Sequence, residues 1–254
     1  MKTLGKVIAK EKSFGKGLLA AAKIAMGGRN FIPEEEYPLH ITAEGRCKEA
    51  VAADIATARE IAARFEGVEI ENSIAKVIRA MPFPAPNSIL GPEGESWVPV
   101  HGQASLSTAP AMFAEIRAYF DSMQATFDQH GIYNGFLFSS LSTTALVIEP
   151  VFFWPEGYRP IHESMVEPAH LKNLKQLGPN AAATAVVDEA REQVKAICKK
   201  YGAAHFQIGR AYTAYRESRD EAFKDVLDAV KGVVDPRGIF NPGCLGFPVR
   251  EGRN

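Results

Sequence analysis

The sequence predicts an α+β domain: an antiparallel sheet with helices on one face, built from duplicated ferredoxin-like units. Three observations carry this. Helical periodicity recurs in four separate segments. Short strand-like runs lie between them. A plan of helix, glycine turn and strand appears more than once, without the glycine spacing of a nucleotide-binding βαβ fold.

Residues 1–36 come first, with "MKTLGKVIAKEKSFGKGLLAAAKIAMGG" at their head. Lys16 and Lys23 break every apolar run, and "GLLAAA" is too short for a signal-peptide core or for a membrane span of about 20 residues. An amphipathic helix serving as a linker is expected here, with a membrane-surface anchor as the alternative. Cytoplasm is the expected location. In 51–65, Val51, Ile55, Ala58, Ile61, Ala62 and Phe65 share one helical face; in 112–127, Met112, Ile116, Tyr119, Phe120, Met123 and Phe127 do so. Gly67 and Gly131 mark the ends of these helices. A third helix is expected over 186–201, with Val187, Ala190, Val194, Ile197 and Tyr201 on its stripe, and a fourth over 219–232, with Phe223, Val226, Leu227 and Val230. The expected strands are "YPLHITAEG", "SWVPVHGQAS", "GFLFSSLSTTALVIEPVFFW" and "AHFQIGRAYTAY". Residues 80–96, rich in proline and glycine, and 155–184 read as long loops of the kind that wall a pocket or simply decorate a surface.

Composition narrows the function. The chain has 254 residues, 46% of them hydrophobic, so a buried core is affordable. Its net charge of -1 argues against a protein whose main work is neutralising nucleic-acid phosphates. Cys47, Cys198 and Cys244 form no CxxC pair, and six scattered histidines give no metal-ligand spacing, so neither a disulfide framework nor a metal centre is expected. The glycines at 15–17 and 27–28 match neither GxGxxG nor GxxxxGK[ST], and no GxSxG or HExxH occurs.

The segment "AHFQIGRAYTAY", then a helix, then "VVDPRGIFNPGCLGF", resembles the end of the vanillyl-alcohol oxidase and para-cresol methylhydroxylase family of FAD-linked oxidoreductases. The order from "EYPLHI" through "ESWVPVHGQAS" to "EPVFFWPEGYRPIHE" resembles the substrate, or cap, domain of these enzymes. The tail is the most specific part. The resemblance implies a cap domain over 37–234 and a tail, 235–254, that packs towards an FAD-binding domain or subunit. It further implies an alcohol-type substrate, such as a phenolic or benzylic alcohol or a 2-hydroxy acid, oxidised by hydride transfer to flavin. A cytochrome or another acceptor would then take the electrons. Some relatives attach FAD covalently through a cap-domain histidine or tyrosine; "SSLSTTALVIEP" contains neither, which implies non-covalent FAD. The competing expectation is a non-catalytic α+β binding or interaction module, or an inactive fragment without its flavin domain.

Several residues stand out on chemical grounds. Arg210, by the resemblance, would approach the flavin or substrate and stabilise developing negative charge; a solvent-facing strand arginine is the alternative. Tyr212 could orient a substrate or be a half-buried sheet tyrosine. His205, by strand alternation, falls opposite Arg210 and reads as a core or rim histidine. Asn241 and Gly243 form a terminal turn that aims "CLGF" outward, towards the cofactor if the resemblance holds. Glu149 is a carboxylate in an apolar strand, so it either faces outward at the sheet end or is a catalytic group. His101 could contact substrate, do acid–base work, or end a strand. Trp154, with Phe152, could wall an aromatic substrate or fill the core. Tyr158, followed by Arg159 and His162, could touch substrate from the loop.

Overall fold

The computed structural model of the chain describes residues 37–70, 79–80, 83–205 and 208–249. The helix expected within 1–36 lies outside the described residues. Two compact units divide at Ala85 and Pro86. In the first, α1 (Lys48–Arg64) is an alanine-rich helix whose Arg59 grips Glu69 through two hydrogen bonds of 2.8 Å. Glu66, at φ 60°, takes the left-handed position at its end that the sequence assigned to Gly67. Residues 37–45 form no strand, because none of the unit's described residues provides a ladder for them.

The second unit runs β1 (Ser96–Pro99), β2 (Gly102–Ser105), α2 (Ala109–His130), β3 (Tyr133–Leu141), β4 (Ala145–Trp154), α3 (Pro160–Met165), α4 (Pro168–Leu171), α5 (Ala181–Lys200) and α6 (Glu221–Val234). It is α+β with a four-stranded antiparallel sheet. β4 is central. β3 pairs with it from Tyr133↔Phe153 to Leu141↔Ala145. On its other side β1 and β2 are two halves of one line in a single register, from Ser96↔Trp154 through Pro99↔Val151 and from Gly102↔Ile148 through Ser105↔Ala145. Pro150 explains the break between the halves. Val100 donates to the Pro150 carbonyl at 2.9 Å, but proline has no N–H to return, so the ladder lapses at that pair.

Alternation gives the sheet two faces. Ile148, Phe152 and Trp154 of β4, with Val100 and Ala104, point to α2 and α5 and join Met112, Ile116, Phe120, Phe127, Val187, Ala190 and Val194 in one buried core. Aromatic rings interlock across it: Phe120 meets Phe152 edge-on at 5.3 Å and Phe113 meets Phe136 at 5.0 Å. Gly102 is needed where the layers come closest, since a Cβ there would lie 2.9 Å from Cys198 Sγ. α5 earns its position from sequence alone: Asn180 caps it by accepting from the Ala183 amide at 3.1 Å, and Ala183, Val187, Ala190, Val194 and Cys198 form its buried stripe. α2 closes on Gly131 at φ 64°.

Glu156 ties the sheet to α5. One of its oxygens accepts from the amides of Gly157 and Asn180, both at 3.2 Å, and the other accepts from the Thr184 hydroxyl at 2.5 Å. Thr184 in turn accepts from Trp154 Nε1 at 2.9 Å. The long loop between β4 and α5 therefore leaves and returns through one neck, and it contains the short helices α3 and α4.

Two expectations need correction. The first repeated unit is complete as α2, β3 and β4, but the second has its helix and the Gly202 turn and then only an isolated bridge, Gln103↔Ala204, in place of a strand. Residues 208–219 are turns with a 3₁₀ stretch at Thr213–Tyr215. The tail does not aim outward at "CLGF". Asp235 accepts from the amides of Ile239 and Phe240 at 2.9 and 3.0 Å and pairs with Lys231 at 2.6 Å, which turns the chain back. Leu245 then donates to the Gly209 carbonyl at 3.1 Å, and Phe247 lies under the cations of Arg216 and Lys231. α6 differs from α5 in kind: none of its residues is buried, and Phe223, Val226, Val230, Val233 and Val234 are exposed.

Candidate acid–base site on the sheet

The face of the sheet turned away from α2 and α5 carries Tyr133, Leu137, Val147, Glu149, Val151, Phe153 and His101 by alternation. At one end Tyr133 stacks on Phe153 with centroids 4.7 Å apart. The loop at Gly91 passes over that end, where a Cβ would sit 3.0 Å from the Phe153 ring. At the middle the shared register places His101 opposite Glu149, immediately beside Pro150. His101 Nε2 lies 3.4 Å from Glu149 Oε2, within reach of an ion pair but longer than a good hydrogen bond. The histidine is 3% exposed and the carboxylate 15%.

An isolated pair at this distance would draw a proton onto the imidazole. Burial opposes it. Burial first, then the neighbouring His205, holds His101 below the ordinary histidine value. Burial raises the Glu149 carboxyl above the ordinary range. Both groups are pushed towards their neutral forms, which leaves the imidazole with a free acceptor nitrogen beside a protonated carboxyl. Such a pair can accept a proton from a hydroxyl brought to it and hold it away from water.

Three contacts fix the outer edge beside this pair. The His101 amide donates to the Tyr212 hydroxyl at 3.2 Å. The His101 carbonyl contacts His205 Nδ1. Gln103 exchanges both backbone bonds with Ala204, at 2.8 and 3.0 Å. His205 and Tyr212 stack on each other at 4.1 Å. Burial holds His205 below and Tyr212 above their ordinary values.

The structure thus unites two residues singled out from sequence, Glu149 and His101, and puts the Tyr212 hydroxyl against the backbone of the second. His205 was read only as core or rim. Strand alternation hid its contact, because the segment that carries it is not a strand. Arg210 also leaves its expected strand and sits exposed in a turn. Trp154 faces the helices, 6% exposed, with its indole N–H engaged by Thr184. Tyr158 donates to the Lys175 carbonyl at 2.9 Å from the long loop, and His162 is buried with Nδ1 accepting from the Arg159 amide at 3.2 Å. Asn241, at φ 48°, and Gly243, at φ 79°, form the tail turn. An open recess of about 490 Å³ beside Cys47, Val51 and Ile55 in the first unit contains none of these residues. Among the described residues no cluster of three or more acidic, histidine or cysteine side chains could hold a metal, and no helix is long and apolar enough to cross a membrane.

No protein-family model matches the chain. No curated protein matches it. One solved structure similar to it is that of an alkyldihydroxyacetonephosphate synthase, at 14% identity and a TM-score of 0.42 over 77% of this chain. The chain spans 28% of that protein's length. A superposition at this score carries no argument about what the chain does.

Proposed function

We propose that this chain is the substrate domain of an FAD-dependent oxidoreductase that takes a hydride from an alcohol, with FAD bound non-covalently and mainly by a separate domain or subunit. The His101–Glu149 pair is the observation that carries the reading, because removal of hydride from an alcohol also requires a group to accept the hydroxyl proton. The pair sits on the sheet face that the two long helices leave uncovered, with Leu137 and Val151 beside it, so the substrate carbon would rest against apolar side chains. The sequence resemblance supplies the cofactor.

The described residues suit the ring-facing side of such a cofactor better than its phosphates. A pyrophosphate needs backbone amides at a helix start or glycine turn, and the starts of α5 and α6 are filled by Asn180 and by Asp220, which accepts from the Phe223 amide at 2.8 Å. When bound, FAD would receive the hydride. Exposed Arg210 supplies a cation, and Asn241 and Gly243 a turn, for contact at its edge. The exposed apolar stripe of α6, continued by Ile239 and Phe240, supports docking of a flavin-holding partner on this side. A cytochrome or other acceptor would reoxidise the assembled enzyme.

The test is reconstitution with a partner FAD domain followed by anaerobic bleaching of flavin absorbance with benzylic alcohols and 2-hydroxy acids. Alcohol-dependent bleaching is expected, slowed by R210A; the chain purified alone should be colourless. Flavin absorbance in the chain alone, or no bleaching with any donor in the complex, would overturn the proposal.

A further inference from the structure

We infer that His205 and Tyr212 are positioning residues, a clamp that holds the backbone of His101 so that its imidazole stays against Glu149. This goes beyond the proposed oxidation, on which it rests only for the use to which the pair is put. Its physical need arises at Pro150. The ladder that would fix this stretch on the inner side lapses there, since Val100 receives no N–H from Pro150, and β1 and β2 are separated at that point. On the outer side, among the described residues, only the bridge at Ala204 continues the sheet. The polar groups of His101 that point outward are met instead by side chains: its N–H by the Tyr212 hydroxyl and its carbonyl by His205 Nδ1. The two side chains are packed ring on ring, 4.1 Å apart, so each fixes the other. Lys195 of α5 reinforces them, reaching the Ala211 carbonyl at 2.7 Å with its ammonium 5.2 Å from the Tyr212 ring. Two aromatic groups thus do locally what a neighbouring strand would do.

The carbonyl of His101 can only accept, so the clamp requires His205 to carry its proton on Nδ1. Charged and titratable groups around the site are Glu149 from β4, Arg191, Glu192, Lys195 and Cys198 from α5, and Tyr212 and Arg219 from the segment that follows. Loss of the clamp should let water reach His101 and bring its titration back up towards the ordinary histidine value.

The experiment is NMR titration of the full chain, labelled at histidine, with no flavin partner present; its outcome is therefore independent of whether the chain oxidises anything. The His101 signal is assigned by its loss in H101Q. In the unaltered chain His205 should show the Nδ1-protonated tautomer at neutral pH. H205A and Y212F should each raise the His101 midpoint by about half a unit or more. H205Q, whose amide can donate to the same carbonyl, should restore it. That rescue separates clamping from charge, because Gln and Ala are equally neutral. Y212F keeps the ring and deletes only the hydroxyl, so it decides the matter if H205A does not fold. A bare Nδ1 on His205, or an unmoved His101 midpoint in folded Y212F, overturns the inference, as does a failure of H205Q to restore the midpoint that H205A shifts.

Discussion

Neighbouring residues of β4 live in opposite environments. Phe152 points into a core of rings and aliphatic chains and is fully buried, while Glu149, three residues earlier, points to the other face and keeps a histidine for company. The first face is specified many times over: α2, α5 and all the strands supply apolar side chains to it, so removing one leaves a cavity that rigid neighbours cannot fill. The second face is specified by few contacts, each polar and each tied to one residue. Stability resides in the first, and the proposed chemistry in the second.

Removing Phe152 should separate the two faces most sharply. Phe152→Ala should cost about 3–5 kcal/mol in a urea denaturation, since its ring contacts Phe120 and Phe127 across the core. A loss under about 1 kcal/mol would mean the core is not packed as described. Glu149→Gln should do the reverse. Flavin reduction in the reconstituted enzyme should fall about 100-fold or more, whereas the melting temperature should hold or rise slightly, because a carboxyl that burial discourages from ionising gives way to a neutral amide. Equal losses of activity and stability would erase the distinction between the faces.

Acid should weaken the fold from the polar side. His101, His162 and His205 are all held below the ordinary histidine value, chiefly by burial. Their neutral forms are favoured in the folded chain, so the stability linked to them is complete above the unfolded value of about 6.5 and is lost as pH falls through their lower folded values. Glu149 opposes this, because its raised value penalises the folded chain at higher pH and the penalty fades on acidification. The expected net result is a lower urea midpoint at pH 5.5 than at pH 7.5, with the difference reduced in H162N. The smallest effect belongs to α6. Val233→Ser, at a position 81% exposed, should change the stability of the isolated chain by no more than about 0.5 kcal/mol. A larger loss would show that this helix is covered in solution.

α2 and α5 were legible because their buried stripes repeat at a helical period, as Val187, Ala190 and Val194 do, and Gly131 ends α2 by a local rule; the first turn of α5, capped by Asn180, was hidden in what read as a loop. β3 and β4 were legible because "GFLFSSLSTTALVIEPVFFW" is rich in the β-branched and aromatic residues that strands favour. Glu149 announced itself as a carboxylate in an apolar run. Its partnership with His101 did not, since the register that pairs Pro99 with Val151, far apart in sequence, is fixed by the whole sheet rather than by either strand. "AHFQIGRAYTAY" has the apolar content of a strand but yields turns. There the side chains of His205 and Tyr212 take the bonds that a strand backbone would have made, and alternation could not place Arg210. α6 shows the opposite limit: an apolar stripe predicts that a helix wants cover, not where the cover comes from.

The neck at Glu156 has a consequence for how this molecule could be remade. A single carboxylate gathers Gly157, Asn180 and Thr184 and so ties β4 to α5, while the span from 158 to 179 is held separately to the loop before β1, Glu167 to Asn87 and Lys175 to Glu93. Shortening that span would leave β4 and α5 in step through the Glu156 clasp but would strip the loop before β1 of its partners, so the two attachments can be remade independently.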